Sequence, residues 1–332
     1  MRELVGAVLT RPSIDVMAAG AVLATHWGID GELRPLPSER DRNFAVAVDR
    51  TDRYVLKFAN AAEDPALLAF QHAAMRRLAD AGVPCQLPVP TRSGDEVVDT
   101  GSPSAGPALV RLLTWLPGRP LATIPPPDRR EALLDDLGSV LGRTAAALAG
   151  FDHPAAHRSF QWAAEQSLDV IAAHAPAVGD QRRAALLARW RRRLAPLAAA
   201  LPELRHGVIH NDANDHNVLV ADDGRAISGL LDLGDAIWSV TSNELAVAAA
   251  YAALDASDPV GVIDIVRVGF ERELELTDTE RSLVVELVGL RLCTSVVLSA
   301  HQASLAPDDP YLTISEAPAW ALLERLDGET AP

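Results

Sequence analysis

Apolar residues change their rhythm about a third of the way along the chain. Three short runs, 32–36, 44–48 and 54–58, have strand character, the second with apolar and polar residues alternating, the period of a half-buried strand. Asp49, Arg50, Thr51 and Asp52 separate the last two runs and predict a hairpin turn. Ahead of these runs, Ser13 opens a helical stretch to about Trp27, where Gly28 suits the C-terminal cap. From Pro65 the spacing becomes helical, with Leu67, Leu68, Met75 and Leu78 on the apolar face, until Gly82 stops it. Residues 97–98 and 108–113 read as two further strands. The N-terminal third thus predicts a small antiparallel sheet with a helix inserted after the third strand.

Pro117-Gly118 and the triplet Pro125-Pro126-Pro127 break this pattern and predict a hinge. Beyond them the periodicity is mostly helical: residues 128–149, a stretch centred on 162–173, and an Arg-rich stretch over 181–200. Two short strand-like pieces follow within 206–233, then helices near 243–254, 260–273, 278–301 and 315–326. The predicted class is α+β, with an N-lobe over residues 1–116 built on a small antiparallel sheet and a larger, mostly helical C-lobe over 117–332.

At 332 residues the chain exceeds one small core and fits this two-lobe division. Its net charge of −15 argues against a general nucleic-acid binder, which needs basic patches, and is compatible with a cationic small substrate. Cys85 and Cys293 make neither a disulfide framework nor a zinc site, and reduced thiols point to the cytoplasm. Glu3 and Asp15 interrupt the N-terminal apolar residues, so no signal-peptide core is expected there. Glu286 and Arg291 break the apolar stretch around Val284, so no membrane span is expected either. A homodimer stays open.

The chemistry concentrates in His210-Asn211-Asp212-Ala213-Asn214-Asp215-His216-Asn217, which reads H-x-D-x-x-x-x-N ahead of the apolar run 218–220. Asp232 follows on the next apolar run, with Asp235 three residues later. A loop carboxylate at Asp212 can accept a hydroxyl proton, with His210 orienting the loop. Asn217 and Asp232 offer oxygens to Mg²⁺ on a nucleoside triphosphate. Lysine is rare in the chain, and Lys57 sits on the third strand directly before a helix, where it can hold phosphates; alone, such a lysine is more often solvent-facing. The acidic partner expected on that helix is replaced by Gln71, with Glu63 and Asp64 weaker candidates. The loop before the second strand has no glycine; Ser38, Asn43, Arg40 and Arg42 are its candidate phosphate contacts. A metal-hydrolase alternative would use His210, Asp212 and His216 as ligands, with His206 nearby, but this spacing gives no shared helix face.

With Lys57, His210, Asp212, Asn217 and Asp232 in this order, the chain resembles the aminoglycoside phosphotransferase and choline kinase superfamily. Within it, the chain is most similar to the hydroxylysine-kinase-like branch, which includes kinase modules fused to class III aminotransferases. Residues 39–44, 110–118 and 208–215, and Tyr311-Leu312 followed by Pro318-Ala319-Trp320, carry that likeness. The resemblance implies a protein-kinase-like fold, Mg²⁺, and ATP or GTP as co-substrate, with the nucleotide between the lobes. Backbone groups from Leu112 to Thr114 would then read the base, Asp212 would be catalytic, and Asn217 and Asp232 would hold metal. It also implies a small cationic or zwitterionic hydroxyl-bearing substrate. Asp215, Asp235 and Glu244 are candidates for its amine, Trp238, Tyr251 and Trp320 for aromatic walls, and Arg291 for a carboxylate. An internal salt bridge or core packing is the plainer reading of each, and Glu244 suits a helix start after Thr241-Ser242-Asn243. Leu233 stands where the family usually has Phe, and keeps the apolar anchor. A small-molecule O-phosphotransferase is the leading expectation. An antibiotic kinase, or a nucleotide-binding pseudokinase suggested by Gln71 and the glycine-free loop, remains the alternative.

Overall fold

Strand alternation builds the first sheet. Glu32–Leu36 (β1), Arg42–Val48 (β2), Thr51–Phe58 (β3), Pro88–Val89 (β4), Val98–Asp99 (β5) and Leu109–Thr114 (β6) form an antiparallel sheet in the order β1-β2-β3-β6-β4, with β5 also on β6. The computed structural model describes residues 12–38, 40–101, 109–305 and 316–329. Glu3, Glu39, Ala108, Tyr311 and Leu312 of the sequence reading lie outside the described residues. The chain divides into two units, Met1–Pro117 and Gly118–Pro332.

In the first unit, Phe44, Val46, Leu56, Phe58, Val110 and Leu112 share a core with Ala19, Leu23 and Trp27 of the helix Val16–His26 (α1). Each such large side chain, fully buried, contributes about 1.5–3 kcal/mol. Trp27 keeps its indole satisfied by donating to the Val89 carbonyl at 2.8 Å. Strand alternation therefore turns Asn43, Lys57 and Arg111 to the opposite face, where the register Asn43–Lys57–Arg111 sets them side by side. Asp49 and Arg50 both adopt positive φ (51° and 63°), as a two-residue hairpin loop of the primed type requires. Asp15, rather than Ser13, caps α1 by accepting from the Ala18 N–H. Helix Pro65–Asp80 (α2) starts with Asp64 as its cap and Pro65 in its first turn, and Gly82 follows it at φ 74°.

The second unit holds Arg119–Pro120 (β7), His206–Ile209 (β8), Val218–Val220 (β9), Ile227–Leu230 (β10) and Ile237–Val240 (β11). They make a three-stranded sheet β10-β9-β7 and a β11-β8 pair. The two strand-like pieces expected at 206–233 are thus three strands, and β7 and β11 add brief partners that too few residues signal. The helices are Glu131–Leu148 (α3), Ala164–His174 (α4), Gln181–Leu194 (α5), Leu197–Ala200 (α6), Ser242–Ala252 (α7), Pro259–Glu271 (α8), Asp278–Ser282 (α9), Val284–Leu305 (α10) and Glu316–Glu329 (α11). Pro196 separates α5 from α6 within the expected 181–200 helix, because its ring cannot continue the hydrogen-bond ladder. Leu283 likewise divides the expected 278–301 helix into α9 and α10.

Helix α10 packs on α4, α5, α7 and α11. It is long and apolar enough to cross a membrane, but 67% of its most apolar window is buried inside the protein, so it is a core helix. Helices α3 and α8 approach through glycines: a Cβ on Gly138 would meet the Val266 carbonyl oxygen at 2.0 Å, and one on Gly269 the Asp135 carbonyl oxygen at 2.1 Å. These are backbone atoms that no rotamer change can move. Gly138→Ala should therefore destabilise the protein by about 1–3 kcal/mol. By contrast Gly179→Ala, with nothing within 4 Å of the new Cβ, should melt within a degree or two of wild type. Equal melting temperatures for the two variants would contradict the close crossing.

Candidate active site

Lys57 is the only lysine in the chain. It is buried on β3 between Asn43 and Arg111, and Gln71 of α2 is buried as well. Gln71 Oε1 has no hydrogen-bond partner among the described residues, an arrangement that marks places completed by ligand or water. His72 places α2 on the Lys57 face. Burial lowers its pKa to about 3, and the charges of Arg111 and Arg76 push the same way, so it stays neutral beside Glu96. Ser38 accepts from the Asp41 N–H at 3.2 Å and closes the glycine-free turn before β2. The Arg42 guanidinium lies 5.1 Å over the Phe44 ring.

One expectation in this unit meets a difference. The Thr114 N–H donates to the Leu87 carbonyl at 2.9 Å, and the Thr114 carbonyl accepts from Gln86 at 3.1 Å. Leu112 is paired with both Leu56 and Val89, and the Trp115 N–H donates to the Arg53 carbonyl. Thr114, one of the residues expected to offer its backbone to a base, thus has its N–H and its carbonyl bonded within the unit, on a strand paired on both sides.

In the second unit, two loops are sewn together. Loop 210–217 leaves β8 and enters β9, while turn 231–236 leaves β10 and enters β11. Ladder contacts Ile209–Ile237 and Val218–Leu230 bring the loops to one edge, and the Leu231 N–H donates to the Asn217 carbonyl at 2.8 Å. His210 Nδ1 accepts from the Asp212 N–H at 3.2 Å, so its Nε2 carries the proton and donates to the Leu231 carbonyl at 2.9 Å. Asn211 and Asp232 adopt positive φ of 65° and 59°, which costs roughly 1–3 kcal/mol each and suits Asn and Asp better than other side chains. Asn243 Nδ2 donates to Asn211 Oδ1 at 3.2 Å, and Arg158 donates to the carbonyls of Gly234 and Ala236, which holds both strained corners. Leu233, nearly inaccessible, anchors the second turn.

The Asp212 carboxylate is gripped at both oxygens. Oδ1 accepts from Arg291 Nη2 at 2.8 Å and from Asn214 Nδ2 at 3.0 Å, and Oδ2 accepts from Asn217 Nδ2 at 2.8 Å. Burial pushes its pKa up to about 7, the neighbouring Asp235 adds to the rise, and Arg291 and Asn214 oppose it. Burial also works against the Arg291 charge, but Tyr251 and the carboxylates of Asp212 and Asp235 outweigh it, so the guanidinium is held above its ordinary value. Asp215 is raised by burial, against His216 and Arg129, whose guanidinium lies 3.9 Å away.

Asn217 and Asp232 sit together at this edge and supply oxygens only. The Asn217 amide nitrogen serves Asp212, which leaves its oxygen as the acceptor, while Asp232 Oδ1 receives the Gly234 N–H at 3.0 Å. Among the described residues no three His, Cys, Asp or Glu side chains cluster as metal ligands. An oxygen pair of this kind fits Mg²⁺, which takes one or two protein oxygens and completes its shell with phosphate and water. The hydrolase alternative loses its first ligand, because both ring nitrogens of His210 are engaged; His206 pairs with Glu165 at 3.0 Å.

Several candidates stand elsewhere. Glu244 is fully buried in the first turn of α7 and accepts the His210 N–H at 2.5 Å, so it braces the loop and is not open to an amine. Trp320 lies on α11 with Arg183 5.4 Å over its ring, which assigns it to helix packing. Trp238 on β11 stacks on His157, with ring centroids 5.0 Å apart. Arg291 meets Asp212 instead of facing outward, 4.2 Å over Trp162 and 5.6 Å from the Tyr251 ring centre. Trp162, Arg158, Arg129 and Asn243 were not among the site candidates; their only signal was polar or aromatic character in or next to predicted helices.

Comparison with known proteins accounts for this geometry. A model of the phosphotransferase enzyme family matches residues 32–276. Hydroxylysine kinase of Bos taurus is 31% identical over 346 residues, covering 96% of this chain and 90% of that protein. Two solved structures share the fold. An amicoumacin kinase in complex with AMP-PNP, Ca²⁺ and Ami has a TM-score of 0.72 at 16% identity, covering 96% of this chain and 94% of that one. A microcompartment-associated aminopropanol kinase has a TM-score of 0.70 at 19% identity, covering 95% and 98%. The chain belongs to the phosphotransferase enzyme family, and it is a kinase that acts on a hydroxyl group of a small molecule.

Proposed function

We propose that the protein transfers the γ-phosphoryl group of ATP or GTP to the hydroxyl of a small amine-bearing substrate, a hydroxylysine-like amino acid or an amino alcohol. The observation that carries this reading is the Asp212 carboxylate, held at both ends, with Asn217 the single donor on Oδ2 among the described residues, beside Asp232. The names of the hydroxylysine and aminopropanol kinases each describe a hydroxyl on a carbon chain that also carries an amine, which supports the substrate class. A nucleoside triphosphate as donor supports a cytoplasmic location for this activity.

In this mechanism the acceptor hydroxyl donates to Asp212 Oδ2. As its oxygen bonds to the γ-phosphorus, the bond from that phosphorus to the bridging oxygen breaks and the nucleoside diphosphate leaves. The hydroxyl proton passes to Oδ2. His210 and Glu244 keep the loop still, and Lys57, with Asn43 beside it in the sheet, holds the phosphates together with Gln71 of α2. Mg²⁺, held by Asn217 and Asp232, would neutralise phosphate charge. Asp235, buried beside Asp212, supplies negative potential for the amine, and Asp215 adds to it, although Arg129 offsets part of that charge.

Three measurements test this function. Amino alcohols and hydroxy amino acids, screened with Mg·ATP and Mg·GTP, should give acceptor-dependent release of nucleoside diphosphate. Tight nucleotide binding without any such release would instead indicate a nucleotide-binding module. Asp212→Asn should lower kcat by about 10²–10⁴-fold while leaving the nucleotide dissociation constant within a few-fold of wild type; near-normal turnover would remove Asp212 from the role of base. Because the base acts ionised and its pKa is raised, kcat/KM for the acceptor should climb with pH along a one-proton acid limb. Its midpoint should lie at or below about 7. A profile flat from the carboxylate range to neutrality would contradict the assignment.

A further inference from the structure

Arg291 is an unexpected residue in its helix. It lies within the 22-residue helix α10, buried and surrounded by apolar positions. Burying a charge is costly, and a buried ion pair returns little net stability, so stability alone is a weak reason for this one. Its geometry supplies a better reason. The planar guanidinium lies 4.2 Å over Trp162, and it spends its two terminal nitrogens on adjacent positions of one loop. Nη2 donates to Asp212 Oδ1 at 2.8 Å, and Nη1 donates to the Asn211 carbonyl at 3.4 Å. Asn211 is the residue at φ 65°. One rigid fork therefore holds both the strained peptide and the carboxylate that follows it, which an ammonium cannot do.

Resting on the reading of Asp212 as the base, we propose that Arg291 is a positioning residue for phosphoryl transfer: it occupies Oδ1 and locks the Asp212 side chain so that Oδ2 alone faces the acceptor hydroxyl. Asn214 shares the Oδ1 task and Asn217 limits Oδ2 from the other side, so the carboxylate has one orientation. A substrate carboxylate, the earlier expectation for Arg291, would have to displace Asp212 from this fork.

The test is steady-state kinetics of the full chain with Arg291→Met, Arg291→Lys and Arg291→Ala, alongside Asp212→Asn, with melting curves and nucleotide binding as fold controls. Arg291→Met should lose about 10²-fold in kcat, the scale of a misplaced catalytic group, with nucleotide binding unchanged. Arg291→Lys, which keeps the charge without the fork, should lose about tenfold. In Arg291→Ala, millimolar methylguanidinium should restore part of kcat, and it should do nothing for Asp212→Asn. A folded Arg291→Met with wild-type kcat overturns the proposal. So does a variant whose only defect is a raised KM for the acceptor, which would make Arg291 a substrate ligand. Should Arg291→Met fail to fold, wild-type kcat in Arg291→Lys overturns it equally. If Asp212→Asn is inactive and Arg291→Met is not impaired, only the positioning role fails; an active Asp212→Asn removes the base itself.

Discussion

The hydrogen bond from His210 Nε2 to the Leu231 carbonyl joins the two loops on which the site depends. Loop 210–217 and turn 231–236 are excursions from short strands, each with a residue at positive φ, and this bond adds to the one from the Leu231 N–H to the Asn217 carbonyl in tying them. With it, and with the Glu244 carboxylate on the His210 N–H, Asp212, Asn217 and Asp232 share one rigid frame. Strain of roughly 1–3 kcal/mol at each corner persists only where surrounding bonds over-determine it. Asn243, Arg158 and Arg291 supply those bonds from three different segments.

Charge is placed in this frame by helices that otherwise look like plain core. Every residue of α7 is buried, yet Glu244 is among them, and α10 carries Arg291 in the same way. Both side chains reach back to loop 210–217. The pair of helices therefore acts as scaffold and as electrostatic setting together. The Asp212 carboxyl has a raised proton affinity because burial and Asp235 outweigh Arg291. The first unit follows a related logic with opposite sign: Lys57 and Arg111 stand side by side on one sheet face, and the nearby helix offers neutral Gln71 and neutral His72.

Much of this was legible in the residues, and the exceptions have a common cause. Strand period placed β1, β2 and β3 closely, Pro65 and Gly82 bounded α2, and the H-x-D-x-x-x-x-N spacing put Asp212 and Asn217 on one loop. Two-residue strands such as β4 and β7 are too short to show a period. Glu244 and Arg291 were candidate substrate ligands through the family resemblance, with an internal salt bridge or core packing as the plainer reading of each. Their partners, 34 and 79 residues away, are not visible along the chain. The engagement of the Thr114 backbone also depended on what lay alongside β6.

The local chemistry was already set by the order of the residues: which segments alternate or coil, where an ionisable group stands on a loop, and how many residues separate Asp212 from Asn217. Those follow from side-chain type and short-range geometry, which neighbouring residues settle among themselves. Which donors each buried carboxylate receives, and hence its orientation and proton affinity, came from the fold. A hydrogen bond is directional and short, and a buried charge is stabilised only by the groups the fold carries within a few ångströms of it.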